Sequence, residues 1–245
     1  MMIEIRKYIQ SLRQFVDFYI VRSFKCSMFN VQCSILIISV LPATAQVNYR
    51  INGTAPSEVV YVILSDIATH QQLDSCFISK GSFHFEGTLP ENTFVNLTDN
   101  LHEMDLSLII DETPVVVDLG THAIQGSEIN VKFNDYYRQL MRLQVNVISD
   151  YHKREELLSD STQTTERQKI ERSIQLQLEN ITAVEKGIVD SNMGNVISAY
   201  FLRDLSADLT LNELRGYLNE HYPYRDNPIL YPALQRLREL EKDEN

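Results

Sequence analysis

The chain has 245 residues, 33 acidic against 22 basic for a net charge of −11, 44% hydrophobic residues, three cysteines and no tryptophan. That apolar share excludes a disordered or fibrous chain, and the length suffices for one large domain or two small ones. The negative charge argues against nucleic acid as a partner, because holding phosphates requires Lys and Arg gathered on one face.

Arg6, Lys7, Arg13, Arg22 and Lys25 precede an apolar run at residues 34–41 (SILIISVL), followed by Pro42 and the small residues Ala43, Thr44 and Ala45. A basic leader, a short apolar core and a small-residue exit predict a secretory signal peptide over residues 1–45, cleaved after Ala45, with Met28 as an alternative start. The apolar core falls short of the ~20 residues a bilayer-spanning helix needs, so no stable membrane span is expected after cleavage. No cysteine follows the exit, which points to a free protein, periplasmic or otherwise exported and not cytoplasmic, rather than a lipid-anchored one. The remaining chain carries 17 basic and 31 acidic residues, a net charge of −14, and keeps only Cys76. A lone cysteine cannot close an intramolecular disulfide, and the strand-like residues around Cys76 predict its burial.

Residues 46–126 read as an antiparallel β domain. Val47, Tyr49 and Ile51 alternate with polar residues, and residues 58–64 (EVVYVIL) form a β-branched and aromatic run. Further strands are expected at 73–79, 82–86, 93–98, 106–110 and 115–119. Lys80-Gly81 is a tight-turn signal, so the strands on either side of it should form a hairpin.

Residues 127–245 read as a helical region. Tyr136, Leu140, Leu143, Val147 and Tyr151 share one helical face, and so do Ile170, Ile174, Leu178, Ile181 and Ile188. The polar residues 159–165 between them predict a long antiparallel helix pair. Shorter helices are expected at 196–205, 211–221 and about 228–242, the last capped by Asp226 or Asn227 with Pro228 in its first turn. The fold class is therefore α+β: an antiparallel β-sandwich or open barrel followed by helices.

The chain shows no catalytic motif. There is no Cys-x-x-Cys for thiol redox work, no cluster of ligands at metal-binding spacing, no glycine-rich phosphate loop and no nucleophile elbow. No catalytic residue, metal site or cofactor is expected. Asp105, Asp111 and Glu112 bracket residues 106–110, and paired carboxylates of this kind would be the starting point for a hydrolase. The candidate contact surface is Tyr222, Tyr224, Arg225 and Tyr231, residue types favoured at binding hot spots. His84 joins it, because alternation with Phe83 and Phe85 turns it away from the core.

Tyr49-Arg50-Ile51-Asn52-Gly53, then Lys80-Gly81-Ser82-Phe83-His84-Phe85-Glu86-Gly87, Gln125-Gly126-Ser127-Glu128-Ile129-Asn130 and Asn192-Met193-Gly194-Asn195 occur in that order. In this the chain resembles the uncharacterised amino-terminal domain that precedes thioredoxin-like domains in exported bacterial thiol-disulfide oxidoreductases and peroxiredoxin-like proteins. In that family a Cys-x-x-Cys module follows the helices. These 245 residues contain no Cys-x-x-Cys, so the resemblance transfers no catalytic residue. It implies a non-catalytic exported module of the bacterial envelope, contacting an envelope protein or a separately encoded thioredoxin-like protein. The alternative expectation is the front half of a split or truncated oxidoreductase.

Overall fold

The alternation seen at Val47, Tyr49 and Ile51 is that of β1 (Gln46–Thr54), whose odd-numbered residues are buried and even-numbered ones exposed over the whole strand. The computed structural model describes residues 45–100, 105–157 and 164–244; of the predicted leader, all but Ala45 lies outside them. Seven further strands follow: β2 (Tyr61–Asp66), β3 (Gln72–Phe77), β4 (Ser82–Pro90), β5 (Phe94–Asp99), β6 (Asp105–Ile109), β7 (Val115–Asp118) and β8 (Ala123–Gln125). They form two four-stranded sheets, ordered β4-β1-β7-β8 and β3-β2-β5-β6, in which only β1 and β7 pair in parallel. Inward residues of both sheets merge into one core, with Ile51, Phe85 and Val117 from the first and Leu64, Leu97 and Leu108 from the second. The sheets are therefore a sandwich, not closed into a barrel.

Gly53 has a packing role in that core. It pairs across strands with Phe83, whose ring lies over it, and a methyl group on Gly53 would fall 2.0 Å from the ring.

Two expectations are corrected. Lys80 and Gly81 do turn the chain, both with positive φ, and Ser79 and Ser82 exchange backbone hydrogen bonds of 2.9 and 3.1 Å. The flanking strands form no hairpin, however, because β3 pairs with β2 and β4 with β1. The turn instead carries the chain from one sheet to the other, since Phe83 and Phe85 are buried beside β1. Cys76 is only half-buried, because β3 lies at the open edge of its sheet.

The helices are α1 (Glu128–Glu156), α2 (Thr164–Ser191), α3 (Ile197–Leu205), α4 (Leu211–Tyr217) and α5 (Tyr231–Asp243). Gly126 turns the chain out of β8 at φ +100°, with the Pro114 carbonyl where a side chain would sit. Ser127 then caps α1 through its hydroxyl. Thr210 and Glu213 form a capping box on α4, which ends four residues before the predicted limit. Pro228 opens a single 3₁₀ turn (Pro228–Leu230) capped by Asn227, and the α-helix begins only after it.

Helices and sandwich meet on the second face of β5 and β6. Phe94 and Ile109 turn away from the sandwich core and pack among Phe133, Tyr200 and Phe201. Ring centroids there lie 4.8–5.9 Å apart, within the range of favourable aromatic contact.

Candidate functional site

The polar groups most suggestive of chemistry lie at the joint between sheet and helices, and their partners define what they do. Ser127 Oγ donates to Asp111 Oδ2 at 2.6 Å and accepts from the Asn130 amide, so Asp111 anchors the start of α1. Asn130 Oδ1 accepts the Ile109 N–H at 2.7 Å, and its Nδ2 donates to Ile109 O at 2.8 Å. Asn134 Nδ2 donates to His122 O at 3.1 Å and holds the β7–β8 turn. Asp105 opens β6 and Asp111 lies two residues past its end, six residues apart and about 20 Å along an extended chain. Carboxylates that share a glycoside-hydrolysis step lie within ~10 Å of each other.

A charged corner lies next to this joint. Burial pushes the Asp105 carboxyl up to about 6. Arg203 stacks on the Tyr200 ring at 4.4 Å and holds Asp204 with two hydrogen bonds of 2.7 and 2.9 Å. Burial opposes the Arg203 charge, but Asp204 and Tyr200 outweigh it and raise its pKa. Glu185 on α2 is pushed up to about 8, chiefly by burial and further by Asp204 and Asp208. Among the described residues no three His, Cys, Asp or Glu side chains converge as metal ligands.

Between α1 and α2 runs a shallow groove of about 290 Å³, lined by Asn146, Asp150, Lys153, Gln177 and Asn180 among others. Asp150 accepts hydrogen bonds from Lys153 Nζ (3.0 Å), Ser173 Oγ (2.9 Å) and Gln177 Nε2 (2.7 Å), which hold its carboxyl below the usual range. The bonds from Ser173 and Gln177 cross from α2 to α1 and set their register, while the Lys153 bond lies within α1.

The predicted contact residues fall in three places. Tyr222 is buried, and its hydroxyl meets Ser198 Oγ at 2.7 Å; burial pushes its pKa up to about 12. Tyr224 packs edge-on against it and donates to Gly194 O, while the Arg225 backbone N–H donates to Tyr222 O. Asn227 Nδ2 ties this loop to Asn92 O. These residues make a packed corner in which Tyr224 and Arg225 are half-buried, while Tyr231, 61% exposed, offers its ring to solvent. His84 stands apart, on the outer face of β4, with ring nitrogens 2.8 Å from Asn52 Oδ1 and 3.2 Å from Glu86 Oε2. It belongs to a polar ladder across β1 and β4 that includes Thr88 on Asn48.

What the sequence reading missed is the outer flank of α1. Met141, Val145 and Ile148 are 38%, 57% and 41% exposed on a helix whose core face is already made by Phe133, Leu140 and Val147. Their 4-and-3 spacing was a readable signal, hidden beneath the stronger core period of the same helix.

Residues 49–134 match a domain of unknown function, DUF4369. The matched span runs from β1 to the second turn of α1, taking in the sandwich together with Asn130 and Asn134. No curated protein matches the chain. No helix among the described residues is long and apolar enough to cross a membrane.

Proposed function

We propose that the protein is a non-catalytic binding or assembly module, exported to the bacterial envelope, where it contacts another protein. The observation that carries this reading is the apolar flank of α1: large aliphatic side chains left in water, in a row, on a helix anchored at its start by Ser127, Asn130 and Asn134. Contiguous exposed apolar surface of this kind marks interaction sites. The acids and tyrosines that suggested chemistry support the same reading, because Asp111 holds the Ser127 cap of α1 and Tyr222 packs a corner. Export rests on the leader at residues 1–45, and a thioredoxin-like partner rests on the family resemblance.

The test is turnover. The purified protein, with dithiothreitol as reductant, should reduce neither insulin disulfides nor hydrogen peroxide faster than the protein-free mixture. A rate proportional to protein concentration, lost in Cys76→Ser, would overturn the proposal.

A further inference from the structure

The row on the outer flank of α1 extends past its three apolar residues. Positions 138, 141, 145, 148, 152 and 155 follow the alternating three-and-four spacing of a coiled-coil seam, and all six side chains are exposed. They read Arg, Met, Val, Ile, His, Glu. The row is complementary to itself when reversed. Turned end for end about a point between Asn146 and Val147, Arg138 falls opposite Glu155, Met141 opposite His152 and Val145 opposite Ile148.

We infer that two copies of this chain associate through α1, the helices antiparallel and the twofold axis passing between residues 146 and 147. This deepens the assembly reading and rests on it, naming a second copy as a partner. An isologous interface requires each patch to complement itself, and this row does so in its apolar centre and in the pairing of Arg138 with Glu155. The apolar centre closes on itself, and Arg138 at one end of each row meets Glu155 at the far end of the other. Among the described residues Arg138 has no ion pair. Glu155 holds Arg154 at 2.7 Å, in a pair exposed enough at Glu155 to exchange for one across the interface. The row spans 18 residues, about 26 Å of helix, which is less than a standard interface of ~800 Å² per partner needs. The dimer is accordingly weak and dependent on concentration.

Sedimentation equilibrium of the purified protein from about 10 μM to about 1 mM tests this. The wild type should pass from monomer to dimer across that range. Val145→Glu with Ile148→Glu should remain monomeric with an unchanged circular dichroism spectrum, since both positions are exposed. Arg138→Glu should weaken association roughly tenfold, and adding Glu155→Arg should restore it. A wild type that stays monomeric, or a dimer indifferent to the Val145 and Ile148 changes, overturns the proposal. Failure of the charge swap to restore association overturns the antiparallel register. None of these outcomes touches the broader reading, which only catalytic turnover would remove.

Discussion

The side chain of Asn130 gives Ile109 both hydrogen bonds that a neighbouring strand would give it, accepting its N–H at 2.7 Å and donating to its carbonyl at 2.8 Å. Ile110 gives its own N–H to Thr93 O, so alternation turns the Ile109 groups outward to the open edge of the sheet. One amide thus pairs the edge of β6 at Ile109 and ties the first turn of α1 to it.

Replacing Asn130 should therefore cost more than an ordinary polar substitution. Asn130→Ala leaves a buried N–H and C=O unpaired, a loss of about 3 kcal/mol. Asn130→Asp should not rescue it, because a carboxylate can accept from Ile109 N but faces Ile109 O without a proton. Urea unfolding monitored by circular dichroism checks both; an Asp variant as stable as wild type would contradict the assignment.

Tyr222 and Tyr231 should behave oppositely despite their closeness in sequence. Ser198 Oγ donates to Asn195 O at 2.8 Å, so it accepts from the Tyr222 hydroxyl. Tyr222→Phe should lower stability by about 1 kcal/mol. Tyr231→Ala, at an exposed position, should stay within about 0.5 kcal/mol of wild type in the same unfolding measurement.

Glu185 should make stability depend on pH. Its folded pKa of about 8 lies above the ordinary carboxyl value of 4.5, so between these the folded state holds a proton that the unfolded state releases. Stability attributable to this group falls as pH rises through that window. Glu185→Gln should be nearly neutral at pH 5 and stabilising by about 2 kcal/mol at pH 9, allowing for partial exposure. Thermal melts at the two pH values measure the difference; equal effects at both would contradict the burial argument.

The sequence disclosed what depends on local period. The alternation in β1, the two faces of the long helix pair and the start of helix after Gly126-Ser127 were all legible, because each follows from neighbours a few residues apart. The Lys80-Gly81 turn was legible as a turn, but its use was not, since turn chemistry is indifferent to which sheet receives the next strand. β8, with three residues, is too short to show a period. Asn130 looked like an ordinary polar residue in a first helical turn, and nothing local tells that Ile109 lies opposite. The α1 flank was overlooked because two apolar rows on one helix differ by only about 100°, a single residue step.

The surface assigned to α1 is tested most directly by cross-linking between copies. Arg138→Cys and Glu155→Cys variants, each in a background with Cys26, Cys33 and Cys76 replaced by Ser, are mixed and treated with a short thiol-to-thiol linker. In the antiparallel pair position 138 of one copy meets 155 of the other, while like positions lie about 25 Å apart. The mixture should give a cross-linked dimer that neither variant forms alone. Equal cross-linking in the separate variants, or none in the mixture, would contradict the account.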